Sequence, residues 1–124
     1  MFNADFFTYL DRNALSANAF RMLAYSARQA RDEFHELEND KRVEYNALDD
    51  AIGKFDDDAF KRFGGFVWPD DVKAEYAELD EKWYEAQDAY YRTSEVTSLF
   101  DDLVPALREV TDILERLEQL RDRG

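Results

Sequence analysis

The single histidine of the chain, His35, follows Asp32 at a spacing that puts a carboxylate and an imidazole on one face of a helix. That is half of a metal site at most. Di-iron helical bundles take a Glu-x-x-His from each of two helices and a further Glu from each of two others, and the chain has no second histidine. There are no cysteines, which excludes disulfides, thiolate metal ligands and cysteine nucleophiles. The few glycines form no phosphate-binding loop, and Asp56-Asp57-Asp58 lacks the alternation of a calcium loop. What remains for chemistry is carboxylates.

Two carboxylate groups stand out, Glu78-Leu79-Asp80-Glu81 and Glu109-Val110-Thr111-Asp112. Their i,i+3 acids resemble the Glu-x-x-Glu and Glu-x-x-Asp pattern of all-α nucleotide pyrophosphohydrolases. That resemblance implies four carboxylates, Glu78, Glu81, Glu109 and Asp112, around a Mg²⁺ that bridges substrate phosphates. It covers four residues, and the same spacing recurs at Glu33/Glu36, Glu75/Glu78 and Glu115/Glu118. We keep this enzyme as a minor alternative; the principal expectation is no catalysis, no cofactor and no metal.

The segment Phe60-Lys61-Arg62-Phe63-Gly64-Gly65-Phe66-Val67-Trp68 mixes rings, bases and glycines. It resembles the RNA-recognition octamer with Phe63 and Gly64 out of order, and that motif needs a four-stranded sheet to present its rings. Two uses are left for Phe63, Phe66 and Trp68: capping the core, or anchoring a partner, since aromatics and Arg are enriched in binding hot spots.

Net charge is the most unusual global property, −13 over 124 residues. It disfavours direct contact with nucleic acid or anionic lipid, which need a basic footprint, and favours basic partners. The excess is concentrated. Residues 32–58 and 70–91 together hold nineteen acids and five bases, a net of −14. As helices these arms span roughly 35–40 Å at about 1.5 Å per residue. Their net density is then about one charge per 3 Å, within a factor of two of the one per ≈ 1.7 Å of duplex DNA.

The elements that carry these residues read as helices. Ten Phe, seven Tyr and two Trp give ample core material, and four Gly and two Pro are few breakers for the length. Apolar residues recur at helical steps through Phe20, Leu23, Ala27, Ala30, Phe34 and Leu37, then Tyr45, Leu48, Ile52 and Phe55. Gly53 reads as a helical glycine or a C-terminal cap, and Asp56-Asp57-Asp58 as the N-cap cluster of a short helix ending at Phe63. Residues 64–69 are the one strong break, and Pro69 with Asp70 and Asp71 suits the first turn of a new helix. Val72, Tyr76, Leu79, Trp83, Ala86 and Tyr90 keep a heptad step, with an interruption expected at Thr93-Ser94. A last apolar stripe runs from Leu99 to Leu120, where Pro105 sits in a first turn or kinks the helix. Phe2, Phe6, Tyr9 and Leu10 read as a short packing helix. Six i,i+4 acid-to-base pairs support the pattern: Glu38–Arg42, Asp50–Lys54, Asp58–Arg62, Glu78–Lys82, Asp88–Arg92 and Asp112–Arg116.

The expected fold is all-α: one domain over residues 1–124, a long helical hairpin turning near 64–69, packed with N- and C-terminal helices into a small bundle. The expected function is a non-enzymatic acidic module, an inhibitor that meets a basic, nucleic-acid-binding protein surface through Asp49, Asp50, Asp56, Asp57, Asp58, Asp70 and Asp71, with Phe63, Phe66 and Trp68 at the turn. Acidic immunity proteins and phage anti-defence proteins are functional analogues. The alternative is a structural subunit that forms homo-oligomers through the C-terminal helix, whose heptad character leaves room for self-association. The start, Met1-Phe2-Asn3-Ala4-Asp5, has no basic or apolar leader character, and no apolar run approaches a membrane span, so the expected location is cytoplasmic, with no membrane and no direct nucleic acid as partners.

Overall fold

In the computed structural model the described residues are 8, 9, 12, 15–65 and 67–123. They form two long α-helices, α1 (Ala17–Phe63) and α2 (Asp70–Arg123), and no strand occurs among them. The fold is all-α. Of the expected N-terminal packing helix, Phe2, Phe6 and Leu10 lie outside the described residues. Among the described residues no helix is long and apolar enough to cross a membrane.

Local chemistry sets the ends. Ser16 Oγ accepts the Ala19 amide at 3.2 Å, as an N-cap does. The Ala17 amide donates to Glu118 Oε1 of α2 at 3.0 Å, so a carboxylate from the other helix sits on the positive end of α1. At the far end Gly64 takes φ 72°, a left-handed conformation that glycine adopts without a Cβ penalty. Its amide closes on the Phe60 carbonyl at 2.8 Å, and Lys61 and Arg62 complement the dipole of the last turn. Pro69, Asp70 and Asp71 start α2 as expected, with the Lys73 amide bonded to the Pro69 carbonyl at 3.0 Å.

Between these ends both helices are longer than the sequence pattern implies. α1 runs through Gly53 and Asp56-Asp57-Asp58, so there is no separate short helix and those aspartates cap nothing. The apolar register through Ile52, Phe55 and Ala59 is unbroken across the glycine, and packing overrides a propensity deficit of about 1 kcal/mol. α2 likewise continues through Thr93-Ser94 and Pro105, so the expected C-terminal helix is the second half of α2. Thr93 Oγ1 bonds the Ala89 carbonyl one turn back at 2.8 Å, which keeps the residue inside the helix. Pro105, which lacks the amide donor, is itself exposed, although the preceding Val104 is buried.

Contacts divide the chain into two compact units, Met1–Glu33 with Thr97–Gly124 and Phe34–Val96. We call them the terminal unit and the turn unit. In the terminal unit α1 and α2 pack antiparallel, Ala17 against Leu114, and Ala24 and Ala27 against Val104 and Leu107. Phe20 and Phe100 close over these residues. Thr97 and Thr111 are buried there too, and Thr111 satisfies its hydroxyl on the Leu107 carbonyl at 2.7 Å. Arg21 and Glu115 pair across the helices at the surface.

The turn unit has an aromatic interior. Tyr45 of α1 stacks on Tyr90 of α2 with centroids 6.0 Å apart and meets Trp83 at 5.6 Å. Nearer the turn, Phe55 touches Tyr76 at 5.9 Å and Trp68 at 6.0 Å. Ala59 and Ala86 are buried in the same unit. The heptad positions Val72, Tyr76, Leu79, Trp83, Ala86 and Tyr90 are all buried or half-buried, as the periodicity requires.

Candidate functional site

Every described residue of the expected partner-binding set belongs to the turn unit. That unit holds eighteen acids and eight bases, a net of −10. The terminal unit, with eleven acids and eight bases, carries the remaining −3. The charge is thus segregated by unit.

All seven aspartates are exposed. Asp49 and Asp56, seven residues apart, share one face of α1, and Asp50 and Asp57 share the next; Asp58 lies on a third. The side that packs on α2 is formed by Tyr45, Leu48, Ile52, Phe55 and Ala59. The carboxylates therefore surround the outward half of α1 and form no single line. Asp70 and Asp71 add two more on the first turn of α2.

Few of these charges are compensated. The ion pairs of this unit are local: Lys41–Glu44 at 3.7 Å, Glu78–Lys82 at 3.8 Å and Asp88–Arg92 at 3.1 Å. Of the six expected i,i+4 pairs only Glu78–Lys82 and Asp88–Arg92 form. Arg42 turns to Asn39 instead, and no ion pair joins Asp50 to Lys54, Asp58 to Arg62 or Asp112 to Arg116. An exposed pair gains a few tenths of a kcal/mol against the entropy of two long side chains, so its absence is the expected balance for many candidates. Among the described residues Asp50, Asp56, Asp57, Asp58, Asp70 and Asp71 make no ion pair.

Asp49 is engaged, and by a residue the sequence pattern assigns only to the core. Trp83 Nε1–H donates to Asp49 Oδ1 at 3.2 Å. The neighbouring Tyr84 packs edge-on to that indole at 4.9 Å and is itself exposed. A turn away, burial raises the Tyr76 phenol above its ordinary value, with Asp56, Asp80 and Tyr84 adding to the rise. Asp49, Asp56, Tyr76, Trp83 and Tyr84 thus form an acidic and aromatic flank of the turn unit. Heptad spacing places the rings, but which aspartates they meet depends on the register between α1 and α2, which has no sequence signature.

The three aromatic candidates fare differently. Trp68 folds back, edge-on to Phe55 at 6.0 Å and to Tyr76 at 5.6 Å, and is half-buried. Phe63 is half-buried under the Arg62 guanidinium, 5.0 Å above its ring, and shares with Asp58 and Val72 the wall of a hollow of about 170 Å³. Phe66 lies outside the described residues. The exposed apolar groups near the turn are Val67 and Phe60, 82% and 64% accessible.

Compared with protein-family models, curated proteins and solved structures, the chain matches none.

The residues of the pyrophosphohydrolase pattern are divided between the units. Glu78 and Glu81 belong to the turn unit, and Glu109 and Asp112 to the terminal unit. Among the described residues no group of three or more His, Asp or Glu is placed to hold a metal ion. His35 is exposed on α1. What the turn unit offers chemically is a field: many carboxylates at close spacing, in water, with little local neutralisation.

Proposed function

We propose that the chain is a non-enzymatic, acidic protein-binding module that docks its turn unit on the basic, nucleic-acid-binding surface of another protein and so inhibits it. The observation that carries this reading is the net −10 of the turn unit, with exposed aspartates, Asp50, Asp56, Asp57, Asp58, Asp70 and Asp71, that make no ion pair among the described residues. A basic groove that accepts a polyanion meets a comparable density of negative charge here. Like-charged surfaces are rejected and basic ones are steered in, with association rates raised by about 10–10³ at low salt. Carboxylates on several faces suit long-range steering better than a fixed lock. The flank of Asp49, Trp83 and Tyr84 supplies the shaped contact that holds a partner once it arrives, since half-exposed aromatics anchor interfaces.

The test is competitive release. A labelled single-stranded DNA is bound to an oligo-arginine peptide, and the chain is added at low salt. Release of the DNA is expected, fading steeply as salt rises and the Debye length falls from about 10 Å at 0.1 M. A variant with Asp49, Asp50, Asp56, Asp57, Asp58, Asp70 and Asp71 changed to Asn keeps its helices and loses most of that release. If the variant folds and competes as well as the parent, the acidity is only a solvated surface and the reading fails.

A further inference from the structure

Helix α2 carries two apolar seams in the terminal unit, and only one is covered along its length. The first, Phe100, Val104, Leu107, Thr111 and Leu114, repeats at steps of four and three and packs on α1. The second, Leu99, Leu103, Ala106, Val110, Ile113, Leu117 and Leu120, repeats at steps of four and three without a break. That is three heptads of a and d positions, the length at which a coiled-coil seam becomes meaningful. Leu117 is half-buried against the Ala17–Leu114 cluster, but the rest of the seam is open: Leu99 is 64% accessible and Ile113 55%, with Leu103, Val110 and Leu120 also exposed.

What covers the seam is indicated by the charges beside it. With Leu103, Val110 and Leu117 at a, the g positions are Asp102, Glu109, Arg116 and Arg123, two acids followed by two bases. All four are exposed, and among the described residues none makes an ion pair or a side-chain hydrogen bond. In an antiparallel coiled coil, g positions of the two helices face each other. Two copies of α2 laid antiparallel, with Val110 opposite the partner's Ile113, bring Asp102 beside the partner's Arg123 and Glu109 beside the partner's Arg116. Symmetry repeats both pairs, so the pattern is self-complementary, as an isologous two-fold interface requires. A parallel pair sets g against e, and the e positions Leu107 and Leu114 are already buried against α1. The charges have no partner in that arrangement.

We infer that this second seam binds the same seam of another copy of the chain in antiparallel orientation, giving a two-fold dimer. Two terminal units then supply four helices around one apolar interior, the bundle that a single pair of helices cannot make alone. The inference is independent of the acidic turn unit. The dimer would present two such units to partners.

Sedimentation of the full chain over micromolar to hundred-micromolar concentrations tests it. A monomer–dimer equilibrium is expected; a monomer throughout, or open-ended growth, would overturn it. Charge exchange then tests the orientation. Glu109→Arg and Arg116→Glu each turn attractive pairs into repulsive ones, and each should weaken its own dimer by about tenfold or more. The double variant should recover the parent affinity. An equimolar mixture of the two single variants should dimerise where neither does alone, because each supplies the charges the other lacks. Single variants that dimerise like the parent, or a mixture no better than its components, would overturn the antiparallel pairing. Both residues are exposed, so the fold is retained, and circular dichroism checks it.

Discussion

A single hydrogen bond ties the acidic surface to the aromatic interior. Trp83 is half-buried, and its indole N–H reaches Asp49 at 3.2 Å. Asp49→Ala removes the acceptor at a site that water can reach, so the expected loss is modest, about 0.5–1 kcal/mol by urea unfolding. Asp50→Ala, whose carboxylate touches no partner, is expected to change stability by less than that. Equal effects at the two positions would deny the bond any role. Tyr76 makes a second prediction at this scale. Its phenol titrates above the ordinary value of 10.0 because burial, and then Asp56, Asp80 and Tyr84, disfavour the anion. A raised folded-state value means the unfolded chain releases that proton first. The contribution to stability is whole below about pH 10 and is lost as pH climbs through the folded-state value. Tyr76→Phe should therefore lessen the alkaline fall in stability, measured as the unfolding midpoint in urea from pH 8 to 11. A parallel fall in both proteins would locate the alkaline sensitivity elsewhere.

Each helix holds one residue that its local propensity opposes. At Gly53 an added Cβ would meet no atom within 4 Å, and the backbone there is helical. Gly53→Ala should raise stability by about 0.5–1 kcal/mol, as a shift of the urea midpoint at constant slope. Pro105 sits exposed inside α2, after the buried Val104, and Pro105→Ala should gain more, up to about 3 kcal/mol, since it restores a backbone donor. Either variant losing stability would mean that a kink or a close approach depends on the native residue. These two sites also mark where sequence reading falls short. Spacing locates both helices, the Gly64 end, the Pro69 start and every heptad position from Val72 to Tyr90. It expects boundaries at Asp56-Asp57-Asp58 and Thr93-Ser94 and leaves Gly53 and Pro105 undecided, because the apolar register that bridges them is stabilised by the opposite helix. It also favours Leu23 and Leu37, which are exposed, over Ala24, which is buried. Large apolar residues signal a core by size, whereas antiparallel helices in close approach select small ones. For the candidate site, the exposure of the aspartates is legible from composition. The pairing of Asp49 with Trp83 is not, since it rests on inter-helix register.

At the scale of the whole molecule, little of the chain is dry. Among the described residues the buried hydrophobics are five alanines with Val104, Leu107 and Leu114, and the large side chains buried almost completely are Val104 and Thr97. Two helices pressed together give each unit one contact layer. The distribution of tryptophan has a practical consequence. Both indoles, Trp68 and Trp83, lie in the turn unit, and the terminal unit has neither. Intrinsic tryptophan emission therefore reports on the turn unit alone, while far-ultraviolet ellipticity reports on helix throughout the chain. Recorded together on one heated sample, the two signals are an internal comparison that needs no label and no mutation. Coincident curves would mean that the continuous helices make the units melt as one cooperative body. Because the two interiors differ, one aromatic and one built on alanine, we expect the curves to separate, with emission retaining its folded value after ellipticity has begun to fall.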